Sequence, residues 1–357
     1  MERTRKPMLY ILRFVLLPFV ATLLVSALGT WLVREMARRF GLLDRPGAHK
    51  QHEVPTPAMG GVAVYVAFAV GIALSGPVNE HLRLILLSSG LLVGVGVLDD
   101  LRGISANLKL AALAVASYLL FQGGICLDTF GLPGPLALLL TFLWLGLVSS
   151  AFNGVDNCDG AASGLAAISS LACFVISWLT WQRELAVVSL VLAGACLGFL
   201  LFNFPRPKAS IFLGDSGSLF IGFGLSTLTV LGDWSESTAK SILIALLLVL
   251  VPLFDFLFIL IVRGQEGRYR KWDDPIRMCA RDHLSHRLCR LGLGPVGILA
   301  VLYSGAILSG GLAVQFACSP DPVGWGQALR IGVVLFSIGF VFRQVQMPPD
   351  AYPEEVH

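Results

Sequence analysis

Carboxylate and amide side chains stand at the ends of several long apolar segments of this sequence. Asp99 and Asp100 are adjacent, and Asn153, Asp156 and Asp159 follow one another at intervals of three. On a helical turn that interval places side chains on one face. Two neighbouring carboxylates do not both stay ionised cheaply without a cation nearby, and oxygen ligands of this kind suit Mg²⁺. The pattern therefore predicts a magnesium site.

The segment IFLGDSGS at 211–218 is predicted to form a tight turn that opens a helix. Its glycines allow a ligand to approach the backbone closely, and a helix N-terminus favours the oxygens of a phosphate. Asp215 alone would repel that phosphate, whereas Asp215 with Mg²⁺ would bind it. Phe212 in this turn is suited to stack on a flat ring, with an interfacial aromatic anchor as the equal alternative.

Basic side chains complete the set of candidate site residues. Lys109 follows Asp100 by nine residues, and the most basic loop of the chain carries Arg281, His283 and His286. A His-x-x-His pair suits zinc, but no third ligand follows at the usual spacing. We therefore interpret these cations as contacts for a diphosphate, with attraction of the loop to anionic headgroups as the alternative.

The composition places these residues in a membrane. Of 357 residues, 55% are hydrophobic and only 14% are charged, against roughly 25% charged residues in a soluble domain. The mean hydropathy is +0.77. Soluble, disordered and fibrous classes are thereby excluded, and a polytopic integral membrane protein is predicted. The net charge of +3 is too small to suggest nucleic acid as a partner.

The predicted fold is all-α, with about eleven transmembrane helices in a single membrane domain, 1–357. Each span needs about 20 mostly apolar residues, and the N-terminal one is interpreted as a retained span rather than a signal peptide. The motifs fall within a core, 40–290, followed by two C-terminal spans in 293–343 and a short polar tail, 344–357. The predicted spans are 8–33, 59–77, 82–98, 106–122, 132–152, 160–180, 185–203, 217–232, 239–263, 293–316 and 325–343.

The loop charges predict the orientation of these spans. One side of the membrane receives 18 of the 26 Lys and Arg residues, and an excess of positive charge marks the cytoplasmic side. The basic N-terminal tail argues the other way, but the five charges of the following loop outweigh it. Every acid and histidine named above maps to the same side. We therefore expect cytoplasmic active-site loops on a protein of the inner or plasma membrane.

Acids for Mg²⁺, bases for phosphate and an aromatic residue in a membrane protein together indicate phosphoryl transfer from a soluble nucleotide to a lipid. One alternative is a membrane transporter, which would carry ionisable groups near the midplane and often an inverted repeat. Of the acids, only Asp255 lies deep in a span, and no repeat is visible. Gly-x-x-x-Gly pairs at 90/94 and 194/198 permit close helix packing, and a homodimer is one possible use of them.

The chain resembles the polyprenyl-phosphate N-acetylhexosamine-1-phosphate transferases over roughly residues 40 to 290. The resemblance rests on six motifs in order: H-x-x-P-x-P-x-x-GG at 52–61, DD at 99–100 with Lys109, FNxxDNxDG at 152–160, IFLGDSGS at 211–218, PLFD at 252–255 and RDHLSHRL at 281–288. It implies a UDP-N-acetylhexosamine donor, a polyprenyl phosphate acceptor and Mg²⁺, with Mn²⁺ as a substitute. Uridine monophosphate (UMP) would leave, and a polyprenyl-diphospho-sugar would start lipid-linked glycan synthesis for the cell envelope, such as teichoic acid or lipopolysaccharide.

The resemblance also implies roles for individual residues. Asp215 looks like the first metal ligand, with Asn153 or Asp156 near the same ion. Asp159 and Phe212 look like contacts for uracil. The remaining catalytic and substrate-binding residues are Asp99 and Asp100 at the acceptor phosphate, with Asp99 as base, and Lys109, Arg281, His283 and His286 at the diphosphate and sugar.

Three positions depart from the pattern of the bacterial N-acetylglucosamine members. Gly103 and Ala280 stand where those members usually carry acids, and Ser285 replaces a histidine. N-Acetylglucosamine (GlcNAc) is still the expected donor sugar, because the loop signature of the muramyl-pentapeptide branch is not present. These losses leave a further alternative, a catalytically altered relative that binds nucleotide or lipid.

Overall fold

The computed structural model describes residues 15–44, 55–127, 131–269, 282–319 and 325–345. These residues form thirteen α-helices and one antiparallel pair of short strands, β1 (Leu43–Asp44) and β2 (Thr56–Pro57). The helices are α1 (Leu17–Phe40), α2 (Gly60–Leu74), α3 (Glu80–Arg102), α4 (Ala106–Gln122), α5 (Gly134–Val155), α6 (Ala161–Leu179), α7 (Arg183–Asn203), α8 (Asp215–Leu231), α9 (Thr238–Leu248), α10 (Leu250–Gln265), α11 (Leu284–Arg290), α12 (Pro295–Cys318) and α13 (Trp325–Arg343).

The all-α, multi-pass class is confirmed, whereas the count of eleven spans is not. Within the described residues, six helices are long and apolar enough to cross a membrane, and one bent pair would make a seventh. Three other predicted spans are helices of only 15 to 17 residues, α2, α4 and α8. At 1.5 Å per residue they rise about 23 to 26 Å, less than the hydrocarbon core of about 30 Å. The last predicted span corresponds to α13, which contains the apolar stretch Ile331–Phe340.

The predicted ninth span is broken, so the expectation of one helix over 239–263 was wrong. Helices α9 and α10 meet at 84°, with Val249 between them. Pro252 explains the break, because it has no N–H to donate to the carbonyl of Leu248 and its ring clashes there. In the first turn of the new helix the same proline is tolerated. The bend begins a helix that carries Asp255 in its second turn.

Helix α8 lies at the centre of the bundle and contacts α2, α3, α5, α6 and α7. Small residues in α8 allow these close contacts. In lipid there is no hydrophobic driving force between helices, so they associate by close van der Waals packing of their backbones. A Cβ at Gly222 would lie 2.7 Å from the Cα of Ser149 in α5. The first residue of α8 is Asp215, so the packing fixes the position of this carboxylate.

The Gly194 and Gly198 pair packs against α1 of the same chain. A Cβ at Gly198 would lie 2.3 Å from the carbonyl oxygen of Leu23, and the hydroxyl of Ser26 donates to the carbonyl of Ala195 at 2.6 Å. Position 94 has nothing within 4 Å of an added Cβ. The 194/198 pair is therefore used inside the chain, and the homodimer stays a prediction.

Candidate functional site

Lys109 joins two of the predicted site acids. Its ammonium lies 2.6 Å from the Oδ2 atom of Asp99 and also pairs with Asp215. Asp99 lies in the last turn of α3 and Lys109 in the first turn of α4, and a turn at Gly103 with a φ of 64° brings the two together. The other oxygen of Asp99 accepts a hydrogen bond from the backbone of Ile104 at 2.8 Å. The site thus contains one ammonium shared between two carboxylates.

Asp100 holds the beginning of α8. Its two carboxylate oxygens accept hydrogen bonds from the backbone N–H groups of Asp215 and Ser216, at 2.8 and 3.2 Å. The residue before α8 is Gly214, which has no side chain to cap the helix, so Asp100 satisfies donors that the helix leaves unpaired. An added Cβ on Gly214 would lie 2.6 Å from this carboxylate. The sequence had predicted an acceptor-phosphate role for Asp100 and gave no sign of this contact.

Asp156 is a carboxylate surrounded by other carboxylates. Burial and then the negative charges of Asp215, Asp100 and Asp159 raise its pKa well above 3.8. Among the described residues its side chain has no hydrogen-bond or ion-pair partner. Desolvated acids that repel one another either take up a proton or bind a cation. The turn therefore has more negative charge than Lys109 neutralises.

Asn153 lies one turn before Asp156 and faces α8. Its amide nitrogen donates to the hydroxyl of Ser218 at 2.9 Å, which leaves the carbonyl oxygen of the side chain as its candidate ligand atom. This contact brings the FNxxDNxDG and IFLGDSGS motifs to the same end of α8.

These side chains fit a divalent cation by their chemistry. Carboxylate and amide oxygens are hard ligands, which suit Mg²⁺ or Mn²⁺ better than softer metals. In the part of the chain that the structure describes, no three His, Cys, Asp or Glu residues are close enough to hold a metal ion. The ammonium of Lys109 pairs with both Asp99 and Asp215. The unpaired Asp156 supports a cation site, and Asp215, Asp156 and Asn153 are its candidate ligands.

The segment 57–61 sets the position of the IFLGDSGS turn through backbone hydrogen bonds. Phe212 donates from its N–H to the carbonyl of Pro57 at 2.8 Å, and its own carbonyl accepts from Gly60 at 3.0 Å. Gly61 donates to Leu213 at 2.9 Å. Phe212 is half-buried. The two glycines were noted in the sequence only as a motif, and the structure shows that they permit this backbone contact.

Replacement of Gly61 by Ala is expected to destabilise the protein by about 1–3 kcal/mol, the usual cost of overpacking. The added Cβ would lie 2.1 Å from the nitrogen of Gly217 and 2.2 Å from its Cα. Backbone atoms at that distance move only if α2 and α8 separate. Thermal unfolding in detergent measures the loss. Gly94→Ala is the control, because its Cβ meets nothing within 4 Å. Equal unfolding midpoints for the two variants would contradict the prediction.

The two predicted uracil contacts lie on segments joined by Asn203. The side chain of Asn203 accepts from the N–H of Gly160 at 2.8 Å and donates to the carbonyl of Ile211 at 3.0 Å. Gly160 follows Asp159, and Ile211 precedes Phe212. Asp159 itself accepts from the backbone of Ala209 at 3.0 Å. The structure therefore brings the loop of Asp159 close to that of Phe212.

The loop that carries His283 and His286, called the histidine loop below, lies against the acidic turn, 153–159. His283 packs on Gly154, where an added Cβ would lie 3.0 Å from the ring atom Cε1. Ser285 donates its hydroxyl to the side-chain oxygen of Asn157 at 2.5 Å. His286 is half-buried in α11, and the predicted site residue Arg281 lies outside the described residues. Ser285, which departs from the pattern of the bacterial N-acetylglucosamine members, thus makes a hydrogen bond within the FNxxDNxDG motif.

The described helices thus form a membrane bundle that brings acidic and basic side chains together at one end of α8. Residues 82–233 match the sequence profile of glycosyl transferase family 4. The chain belongs to the polyprenyl-phosphate N-acetylhexosamine-1-phosphate transferases, as its identity to the relatives below shows.

Three relatives indicate how far the similarity extends. The chain is 31% identical over 305 residues, 83% of each chain, to the probable undecaprenyl-phosphate N-acetylglucosaminyl 1-phosphate transferase of Bacillus subtilis (strain 168). It is 30% identical to the decaprenyl-phosphate N-acetylglucosaminephosphotransferase of Mycolicibacterium smegmatis, over 93% of this chain and 89% of the relative. The undecaprenyl-phosphate alpha-N-acetylglucosaminyl 1-phosphate transferase of Escherichia coli (strain K12) is 25% identical, over 91% and 90%.

Proposed function

We propose that this protein transfers GlcNAc-1-phosphate from UDP-GlcNAc to a polyprenyl phosphate such as undecaprenyl phosphate. The observation that carries the proposal is the convergence of Asp99, Asp100, Asp156 and Asp215 with Lys109 at the start of α8. The printed names of the relatives, which are GlcNAc-1-phosphate transferases acting on undecaprenyl or decaprenyl phosphate, support the choice of substrates. Family membership also counts against the transporter alternative.

The reaction exchanges one phosphoanhydride bond for another. An oxygen of the polyprenyl phosphate attacks the phosphorus that carries the sugar, and the bond from that phosphorus to the bridging oxygen of the diphosphate breaks. UMP leaves with the bridging oxygen, and polyprenyl-diphospho-GlcNAc remains. Because little covalent chemistry falls to the protein in such a transfer, positioning and charge neutralisation supply most of the rate.

The acids and Lys109 would divide this work. Asp215, Asp156 and Asn153 would hold Mg²⁺, which when bound supplies positive charge to the phosphate oxygens. Lys109 adds a second positive charge and would exchange a carboxylate partner for a phosphate oxygen. Asp99, paired with Lys109 at 2.6 Å, would accept the proton of the acceptor phosphate. Asp100, through its bonds to the backbone of α8, keeps that helix end in position.

The donor would lie between the two segments joined by Asn203 and the histidine loop. Asp159 and Phe212 would bind uracil, by a hydrogen bond and by stacking. Arg281, His283 and His286 would bind the diphosphate and the sugar. The excess of Lys and Arg on this side supports a cytoplasmic site on a protein of the inner or plasma membrane. The product would begin lipid-linked glycan synthesis for the cell envelope.

Release of UMP by the purified protein tests the proposal. Protein in detergent receives Mg²⁺, undecaprenyl phosphate and UDP-GlcNAc, and we expect release that needs both the lipid and the metal. Omission of the lipid and chelation of the metal are the controls, and other UDP-amino sugars test the donor. Folded protein without release from any of these donors would contradict the proposal and favour the catalytically altered relative.

A further inference from the structure

Asp255 is a buried acid that the proposed chemistry leaves without a role. It lies in the second turn of α10, just after the 84° bend, and is only 3% exposed. Both of its oxygens have partners. Oδ2 lies 2.7 Å from the Nδ1 atom of His283, and Oδ1 accepts from the N–H of Leu284 at 2.6 Å. One carboxylate thus binds the ring and the following backbone of the same turn.

This pairing selects one form of the imidazole. A carboxylate only accepts hydrogen bonds, so Nδ1 of His283 carries the hydrogen, and in the neutral ring Nε2 is then the acceptor. The bond from Leu284 prevents the carboxylate from turning away. Carboxylates that bind the second nitrogen of a functional histidine fix its tautomer and orientation in this way.

Neighbouring contacts hold the same ring beside the acidic turn. The Cε1 edge of His283 lies against Gly154, which stands between Asn153 and Asp156 in the chain. The hydroxyl of Ser285 donates to the side-chain oxygen of Asn157 at 2.5 Å. This bond joins the histidine loop to the acidic turn a second time. His283 is 8% exposed, so its ring has little freedom to reorient.

We propose that Asp255 is a positioning residue for the transfer reaction. It fixes the tautomer and tilt of His283 so that Nε2 is presented to the diphosphate and sugar of the donor. The bend before α10 brings Asp255 to this place, which gives the break in the predicted ninth span a function. The inference rests on the proposed function and deepens it at the histidine loop.

Asp255→Asn is the first test. Asn keeps the shape and still offers Oδ1 to Leu284, but its NH₂ now faces Nδ1 and requires the other tautomer. We expect the turnover number to fall about 10- to 100-fold, the cost typical of losing a residue that orients a functional imidazole. The KM for UDP-GlcNAc should change less. Asp233→Asn is the control, because Asp233 is exposed at the other end of α8.

A double variant separates positioning from simple support of the fold. With His283→Gln present, Asp255→Asn should cause little further loss of turnover, since residues that act as a unit are not additive. If both losses multiply, or if the fall in activity only follows a fall in folded protein measured by thermal unfolding, Asp255 is merely structural and the proposal is overturned.

A spectroscopic measurement keeps the inference testable even if no donor gives UMP release. With ¹⁵N-labelled histidine, the signal assigned through His283→Gln should show hydrogen on Nδ1 in the parent protein and on Nε2 in Asp255→Asn. Hydrogen on Nε2 in the parent, or the same tautomer in both, would overturn the assignment of Asp255. A confirmed tautomer without UMP release would instead show that the proposed reaction is at fault.

Discussion

Replacement of Asp215 by Asn is expected to leave a folded, membrane-inserted protein whose Mg²⁺-dependent UMP release is about 10²- to 10³-fold lower. Folding should persist, because Asp100 binds the backbone N–H of Asp215 rather than its side chain, and Asn has the same shape. If Asp215 is a ligand in the proposed Mg²⁺ site, turnover should fall because the ion loses a charged ligand at the phosphates, where it would contribute several kcal/mol. Each 1.36 kcal/mol corresponds to about tenfold in rate.

Two measurements make this prediction specific. Turnover is compared with Asp233→Asn, which removes an exposed acid just beyond the other end of α8 and should leave the rate unchanged. Stabilisation of the protein by Mg²⁺, followed as a rise in unfolding temperature, should be lost in Asp215→Asn and retained in the control. Unchanged turnover and unchanged Mg²⁺ stabilisation would remove Asp215 from the ligand set.

Breaking the buried ion pair of Arg263 and Asp282 is expected to cost about 3–5 kcal/mol, the usual penalty for leaving one buried charge unpaired. The guanidinium donates to both carboxylate oxygens, at 2.8 and 2.6 Å, and the residues are 1% and 0% exposed. The pair connects the end of α10 to the residue before His283. Arg263→Met, which leaves the buried Asp282 carboxylate without this partner, should therefore strongly lower the midpoint of denaturation in mixed micelles.

The surface pair of Arg268 and Glu266 is the matched control. Its side chains are 36% and 41% exposed, so Arg268→Met should cost about 0–1 kcal/mol. The double variant with Arg263→Met and Asp282→Leu should be more stable than Arg263→Met alone, since the buried carboxylate is removed together with its partner. An Arg263→Met variant as stable as Arg268→Met would show that the buried pair does not stabilise this loop.

The stabilisation by the ion pair of Arg263 and Asp282 is expected to depend on pH. Burial acts to raise the pKa of Asp282, but the hydrogen bonds and charge of Arg263 hold it below its ordinary value of 3.8. The unfolded chain therefore binds a proton before the folded one does. The stabilisation should be fully present above this ordinary pKa and be lost as the pH falls through the lowered one. Arg263→Met should abolish this loss of stability at low pH, because the groups that lower the pKa of Asp282 most are then gone while its burial, which raises the pKa, remains.

The sequence alone determined the class of the protein and the residue types of its site. A chain with 14% charged residues cannot cover a soluble surface, and that argument needs only composition. The six motifs were sufficient to predict the family, which the comparisons confirm. The number and length of the spans were harder to predict, because an apolar run does not distinguish a membrane-crossing helix from a short helix inside the bundle. The break at Val249 could have been inferred from Pro252, which the apolar run concealed.

Only the tertiary structure decided which side chains meet. The contacts of Asp100 with the backbone of α8, of Lys109 with Asp215 and of Asp255 with His283 all join residues far apart in sequence. Spacing describes neighbours on one helix, whereas these contacts depend on how several helices pack. The small residues of α8 and the pair Gly60 and Gly61 set that packing. They do so by contact with the backbone of other helices, which the local sequence does not identify. The chemistry could therefore be predicted from the residues, and its geometry arose from the packing of the helices.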